Sequence, residues 1–335
     1  MKGTAIYTLS TLALMWGGTA AADDKGTGWT LSGGTLTISE KYTWGNYGGD
    51  WLSASSNIDE IKTVVIDEGV TKIGANAFSG CENLAEVRIP STVEVIGDNA
   101  FQYCSKIKSV KLPDGLKSLG EGAFSGCGGL SEVNIPDGIA EIANMTFNSC
   151  AIASITLPAG LKAIGDGAFA STPLTGIELP EGLTSIGDEA FLWCQELMTV
   201  SLPATIESVG EGAFLNCTGL VSITCLAAEP PTAGAQVADG CDGVRLFVPA
   251  EAKEAYQASE WADRVPRILA IGETGVNSIS AGERIAVVGM MIYVDGKPAK
   301  EAYSLTGKKV SADKPLGKGI YLVRTPKGNR KVVVK

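Results

Sequence analysis

A phenylalanine recurs through the middle of the chain at nearly constant intervals of 22 or 23 residues. The seven positions are Phe78, Phe101, Phe124, Phe147, Phe169, Phe191 and Phe214. Proline keeps the same rhythm from Pro90 to Pro203, and alanine precedes every one of these phenylalanines except at Thr146. Self-similarity at a fixed period indicates a repeat architecture, because one unit cannot bury its apolar face alone. The chain is therefore expected to stack copies of one unit around a shared core.

Each unit predicts one short strand followed by a corner, a short helical or irregular arc, and a return. Val87 and Ile89 alternate with polar residues, which is the pattern of a strand with one buried face. Pro90 has no N–H to donate and is expected to end the pairing. Gly97 recurs at the same place in other units, so it indicates a corner with a positive φ or a close backbone approach.

The spacing L-x-x-V-x-I, at a period within about 20–29 residues, is typical of leucine-rich repeats. The fold class predicted from it is an α/β repeat solenoid that is rich in short parallel strands. The strands are expected to begin near Val64, Val87, Val110, Val133, Ile155, Ile177, Val200 and Ile223.

The consensus I-P-x-x-V-x-x-I-G-x-x-A-F-x-x-C-x-x-L resembles the BspA-like leucine-rich repeats of bacterial surface proteins. The resemblance covers residues 60–225. Residues 23–59, which contain Trp29, look like the N-terminal cap of that family, and residues 226–271, with Tyr256 and Trp261, look like its closing segment. The resemblance implies a non-catalytic protein that binds or adheres to host proteins or other cells. The alternative is a carbohydrate-binding or structural envelope module.

Both ends of the chain suggest export. Residues 1–22 have the features of a signal peptide: Lys2, an apolar stretch, and small residues at Ala20–Ala22 before Asp23. Residues 276–335 predict a small β-sandwich. Their L-x-G-K-x-V and K-G-I-Y-x-V pieces resemble the C-terminal sorting domain of type IX secretion in the Bacteroidetes, and an Ig-like accessory domain is the alternative. The resemblance implies location at the outer cell surface or in the medium.

Charge is distributed unevenly. The chain has 27 basic and 37 acidic residues, yet residues 273–335 hold 12 basic and 5 acidic ones. The preceding residues are therefore strongly acidic. This balance argues against a nucleic-acid partner, because phosphate contacts need clustered Lys and Arg. Outside the leader no stretch is long and apolar enough for a membrane span, and the protein is expected to be a monomer.

The composition disfavours catalysis and metal binding. The chain contains no histidine, so it cannot build a Ser-His-Asp, Cys-His or His-metal site. The carboxylates are scattered rather than paired, and no enzyme activity, cofactor or metal is expected.

Six cysteines follow the phenylalanine rhythm and are expected to form a buried, reduced column. These are Cys81, Cys104, Cys127, Cys150, Cys194 and Cys217. Cys225 and Cys241 are expected to lie outside that column, and of all the cysteines they are the best candidates for a disulfide.

Polar residues that alternate with the buried positions of the strands form the candidate binding face. This face is expected to be concave and to bind an extracellular protein or glycan, although the same pattern suits a merely solvated surface. Its predicted residues are Glu86, Arg88, Ser109, Lys111, Glu132, Asn134, Thr156 and Glu178. A group of aromatic residues near the N-terminus fits the core of the cap better than a platform on which a sugar stacks. It comprises Trp29, Tyr42, Trp44, Tyr47 and Trp51.

Overall fold

The computed structural model describes residues 24–26, 28–39 and 58–271, together with the backbone of short strands between residues 285 and 334. The predicted signal peptide and four of the five N-terminal aromatics, all but Trp29, lie outside the described residues. Residues 58–271 form a parallel-strand solenoid of about nine turns with little helix.

One side of the solenoid carries the strands predicted from the alternating pattern, which we call the first ladder. Neighbouring turns pair in parallel, with Val64 opposite Val87 and Ile177 opposite Val200. The strands of the first ladder are Thr63–Ile66, Glu86–Arg88, Ser109–Val110, Glu132–Val133, Ile177–Glu178, Thr199–Leu202, Ser222–Cys225, Arg245–Val248 and Ile268–Ala270.

The predicted helical or irregular arc contains a second strand in each turn. These strands pair in parallel from Lys72–Ile73 to Ser118–Leu119 and again from Glu141–Ile142 to Thr232–Ala233, for example Ile164 with Ile186. They form the second ladder. Its strands are Lys72–Ile73, Val95–Ile96, Ser118–Leu119, Glu141–Ile142, Ala163–Ile164, Ser185–Ile186, Ser208–Val209 and Thr232–Ala233. The expected α component is therefore wrong for the described repeats, where two β-ladders and turns complete each unit.

The third side, which we call the phenylalanine side, is built of turns that hydrogen-bond to the next turn. The Phe101 N–H donates to the carbonyl of Ala123 at 2.8 Å, and this bond recurs along the solenoid. Every repeated Phe is fully buried, and neighbouring rings stack with centroids 5.1–5.9 Å apart. Such stacked aromatic pairs contribute about 0.5–1.5 kcal/mol beyond the area they bury. The rings therefore form a continuous spine that fixes the register of the turns.

The corner glycines follow the second ladder and are required by close packing. A Cβ on Gly120 would lie 2.5 Å from the backbone N of Asp98, and one on Gly187 would lie 2.7 Å from that of Asp166. Neither glycine has a positive φ. Close backbone approach is therefore the correct one of the two explanations for this column.

Both ends of the solenoid are covered. At the start, strands Asp24–Gly26, Trp29–Ser32 and Thr35–Ile38 form an antiparallel unit, and the last of these pairs in parallel with Thr63–Ile66. At the other end, helices Lys253–Gln257 and Trp261–Arg264 bury Tyr256 and Trp261 completely. These aromatic side chains close the apolar core that the last repeat would otherwise expose.

The strands near the C-terminus pair in antiparallel fashion. One sheet contains Ile285–Val288, Met291–Val294 and Lys297–Pro298. The other contains Ala302–Ser304, Lys309–Val310, Gly319–Thr325 and Gly328–Val334. This arrangement of backbone differs from the parallel pairing of the repeats and marks a change of architecture.

Candidate functional site

All eight residues of the predicted binding face are exposed on the outward side of the first-ladder turns. Alternation along each strand explains this, since Val110 and Ile177 are buried while Ser109 and Glu178 face outward. At one end of the face, Arg88 Nε lies 2.8 Å from Glu86 Oε1, and both side chains are more than half exposed. A pair this exposed is expected to contribute less than about 1 kcal/mol to stability.

The first ladder is interrupted twice, between Glu86–Arg88 and Ser109–Val110 and again after Glu132–Val133, and we call the second interruption the break. Glu132–Val133 pairs with Ser109–Val110, but no strand forms around Ile155, where one was predicted. Two observations accompany the break. The Asn134 side chain accepts the Leu112 N–H at 2.9 Å and donates to the Leu112 carbonyl at 3.0 Å, so its amide is bound to the preceding turn and not to the turn of Ile155. The repeat from Phe147 to Phe169 is also one residue shorter than the one before it.

An open depression of about 740 Å³ lies at this break. It is lined by five predicted face residues: Ser109, Lys111, Glu132, Asn134 and Thr156. The structure therefore brings most of the predicted face into one concave region, whereas Glu86, Arg88 and Glu178 do not line it.

The depression is polar in its side chains and apolar at its floor. Ser131, Ser154 and Asp137 add two hydroxyls and a carboxylate to the predicted residues, while Ile135 and Leu157 are buried beneath them. Such a surface offers hydrogen-bond donors and acceptors of both kinds, with one cation. These groups suit recognition by hydrogen bonding, and they do not form the opposed carboxylate pair of a glycosidase.

The exposed face narrows towards the C-terminal turns. Ser201 remains exposed, but Ser222, which pairs with Thr199, is only 4% exposed. The centre of the face is therefore the break in the ladder and not the continuous sheet that follows it.

Sequence reasoning missed a second group of surface residues, on the phenylalanine side. Tyr103, Met145 and Trp193 are 56%, 47% and 48% exposed, which is unusual for such large apolar side chains. All three have a positive φ. The recurrence of Gly80, Gly126 and other small residues around the phenylalanine was the available signal that these positions are left-handed.

A model of the BspA type leucine rich repeat region matches six copies in this chain, over residues 53–175 and 162–230. The matched residues are more than half of the sequence. The chain belongs to the BspA-type leucine-rich repeat family. Comparison with curated proteins gives no match.

Solved structures similar to this BspA-type protein come from several bacteria. A leucine-rich cell surface protein of Faecalibacterium prausnitzii is 21% identical, with a TM-score of 0.40 over 75% of this chain and 95% of that one. The Treponema pallidum leucine-rich repeat protein is 23% identical, with a TM-score of 0.40 over 68% and 89%. The pneumococcal vaccine antigen PcpA is 15% identical, with a TM-score of 0.37 over 75% and 99%.

The cysteines of this BspA-type solenoid form a hydrogen-bonded column. From Cys104 onward, each thiol of the column donates to the carbonyl of the phenylalanine in the preceding turn, for example Cys127 to Phe101 at 3.0 Å and Cys217 to Phe191 at 3.0 Å. Thr172 takes the cysteine position in the fifth turn, and its hydroxyl donates to the Phe169 carbonyl at 2.8 Å. Burial raises the pKa of Cys81 and of Cys127 to about 12, so these thiols stay protonated and unreactive at neutral pH.

Cys241 belongs to the same column, so the prediction that it lies outside the column was wrong. Its thiol donates to the Phe214 carbonyl at 3.1 Å. The Phe214 N–H donates to the Val237 carbonyl, just as the Phe101 N–H donates to that of Ala123, so Ala238 occupies the phenylalanine position of this turn. Cys225 instead ends a first-ladder strand, and its sulfur accepts the Tyr256 hydroxyl at 3.1 Å. Both are free thiols in this structure. Their pairing stays a prediction.

Across the described part of the chain, no group of three or more Cys, Asp or Glu side chains is arranged to hold a metal ion. Within those same residues, no helix combines the length and apolar composition that a membrane crossing requires.

Proposed function

We propose that this BspA-type protein is a non-catalytic protein of the cell surface that binds another protein through the outward face of its first ladder. The observation that carries the proposal is the break in that ladder, where Ser109, Lys111, Glu132, Asn134 and Thr156 line one depression. Repeat proteins expose extended surfaces of this kind, and binding there needs no rearrangement of the core.

The chemistry of the depression favours a polar and extended partner segment. Lys111 and Glu132 have no side-chain hydrogen-bond or ion-pair partner within the part of the chain that the structure describes. They are free to pair with opposite charges of a partner. Asn134 is held by Leu112 and supports the shape of the depression instead of contacting the partner. The depression lacks a Trp, Tyr or Arg anchor, so we expect modest affinity.

A carbohydrate ligand is the second candidate. Ser109, Ser131, Ser154 and Thr156 place four hydroxyls around the same depression, and hydroxyls can both donate to and accept from a sugar. Under this alternative the protein is a carbohydrate-binding or structural module of the envelope.

One screen separates the two candidates. The purified full-length protein is tested against immobilised extracellular-matrix proteins and against a glycan array. A double variant, Lys111→Ala with Glu132→Ala, is expected to lose binding to its protein partner, while Glu178→Ala, outside the depression, is the matched control. Glycan binding that Ser109→Ala and Thr156→Ala weaken would favour the second candidate. Binding that none of these variants changes would place the site elsewhere.

The proposal includes export to the outer surface through both ends of the chain. One support is the sequence of residues 1–22, which has the features of a signal peptide. The other is residues 276–335, which we take to be a β-sandwich and which resemble a type IX sorting domain. Truncation after Ile271 is expected to leave the protein in the periplasm of its native host, while the full-length protein reaches the surface. Unaltered surface display of the truncated form would overturn this part of the proposal.

The pairing of Cys225 with Cys241 is a further proposal for the exported protein. Thiol labelling of denatured, unreduced protein counts the outcome directly, because the chain contains eight cysteines. Six free thiols are expected if the pair forms, and eight if it does not. Two or fewer would mean that export also oxidises the column.

A further inference from the structure

The exposed apolar side chains of the phenylalanine side stand where the backbone disfavours them. The φ angles are 60° at Tyr103, 56° at Met145 and 60° at Trp193. A bulky side chain in this left-handed region is strained, and glycine or asparagine is the usual occupant. Equivalent turns of this protein hold only small or short polar residues in the column of Tyr103 and Trp193, namely Gly126, Gly240, Asn216, Ser149 and Ser171. Folding therefore does not explain why a tryptophan stands at position 193.

Tyr103 and Trp193 differ in what lies next to them. A Cβ on Gly126 would come within 2.4 Å of the Tyr103 ring, so this ring rests on the glycine of the following turn. The turn after Trp193 carries Asn216 in the same column, and half-buried Leu192 and Leu215 belong to these two turns. Trp193 is thus the aromatic side chain of an exposed, partly apolar surface. We call Trp193, Leu192 and Leu215 the Trp193 surface.

The turns around this surface carry negative charge alone. Residues 163–244 contain 11 Asp and Glu residues and no Lys or Arg. Asp188, Glu189 and Glu196 are exposed in the turn of Trp193 itself, and Glu211 is exposed in the next. Asp188 has a structural role, since its carboxylate accepts the Glu211 N–H at 2.7 Å. Glu189 and Glu196 have no comparable bond among the hydrogen bonds of the described residues.

We propose that the Trp193 surface binds an extended, Arg- and Lys-bearing segment of a polypeptide. A guanidinium or ammonium group over the indole face is held by cation–π attraction, and the aliphatic stems of such side chains pack on leucine. The surrounding carboxylates complement the charge of the partner and raise its rate of association. The proposal goes beyond the function assigned to the first ladder, because it concerns another side of the solenoid.

The repeat geometry favours a peptide over a single small cation. Successive turns are about 5 Å apart, as parallel strands are. Carboxylates recur at one position of three successive turns, in Asp166, Asp188 and Glu211, and Glu189 lies beside Asp188. Alternate side chains of an extended peptide are separated by about 7 Å, so several cations can meet this row at once.

Binding of octa-arginine to the full-length protein tests the proposal, with octa-glutamate as the negative control. Calorimetry measures affinity, and quenching of tryptophan fluorescence reports on contact with the indole. Trp193→Asn is the main variant, because Asn216 shows that asparagine is accepted at this place in the repeat. It is expected to weaken binding about tenfold. Tyr103→Asn is the matched control in the same column and is expected to leave the affinity unchanged.

The charge contribution is tested separately. Glu189→Gln with Glu196→Gln is expected to weaken binding several-fold and to flatten its dependence on salt. Lys111→Ala with Glu132→Ala, at the first-ladder depression, is expected to leave octa-arginine binding intact. The proposals for the two surfaces can therefore be disproved independently of each other. If the Trp193→Asn variant and the unmodified protein bind octa-arginine with equal affinity at every salt concentration tested, the proposal is overturned. Binding would then come only from the overall negative charge of these turns.

The basic C-terminal region of the chain is the other possible occupant. Charge reversal at Lys327, Arg330 and Lys331 in the full-length protein tests it. Unchanged octa-arginine affinity supports a separate partner. A several-fold increase would overturn that assignment, because the chain's own end would then be competing for the surface.

Discussion

The first four turns of the solenoid and the later turns share one core but differ in surface. Phe rings stack 5.2 Å apart between Phe101 and Phe124 and 5.5 Å apart between Phe191 and Phe214. Yet residues 58–162 contain 8 basic and 13 acidic residues, while residues 163–244 contain 11 acidic residues and no basic ones. The first ladder is also broken in the early turns and continuous from Ile177–Glu178 onward.

This difference shows which positions of a repeat are constrained by stacking. The inward columns of Phe, Cys and Gly contact the same residue types in the neighbouring turns, so a change there disturbs two interfaces. Outward positions contact solvent and can vary from turn to turn. The acidic surface and the polar depression therefore differ between turns whose interior is nearly the same.

The largest effect is expected from truncating the aromatic spine in either half. Phe124→Ala and Phe191→Ala should each lower the free energy of unfolding by about 3–5 kcal/mol, since both rings are fully buried between two others. Chemical denaturation measures this loss. If the core is equivalent in the two halves, the two values should agree within about 1 kcal/mol. A much smaller loss for Phe191→Ala would show that the later turns are held by something other than the spine.

A smaller loss is expected from filling the corners. Gly120→Ala and Gly210→Ala place a Cβ about 2.5 Å from the backbone of the preceding turn. Overpacking of this kind costs about 1–3 kcal/mol. Gly128→Ala is the control, because nothing lies within 4 Å of its added Cβ. Thermal melting of the three variants should separate the corner glycines from the control, and equal melting temperatures would contradict the close packing of corners.

The sequence predicted the inward columns well, because their side chains recur with the period and each has a packing role. It did not predict the break at Ile155. The residues around Ile155 alternate as in the other strands, and only the shortened repeat from Phe147 to Phe169 distinguishes this turn in the sequence. The second ladder was missed because two-residue strands show no alternation. Cys241 was misplaced because Ala238 replaces phenylalanine in its turn.

Trp193→Asn is expected to change stability little and in the favourable direction, by about 0.5–1 kcal/mol. Relief of the left-handed strain at Trp193 outweighs the loss of a side chain that is already 48% exposed. Met145→Gly makes the corresponding test in the early turns, where Gly122 and Gly167 flank it in the same column. Denaturation midpoints measure both. A loss above about 1 kcal/mol at Trp193 would mean that the indole is there to stabilise the fold.

The smallest effect is expected from outward polar residues of the first ladder in both halves. Lys111→Ala and Ser201→Ala should each change the free energy of unfolding by less than about 0.5 kcal/mol, because both side chains are exposed. Ser222→Ala makes a further comparison, since Ser222 is in the neighbouring outward column, opposite Thr199, but is only 4% exposed. It should therefore differ measurably from Ser201→Ala in urea denaturation. If Lys111→Ala lowers the free energy of unfolding as much as Phe124→Ala does, the inward and outward faces of the early turns have been assigned wrongly. The depression at the ladder break could then not be a free surface.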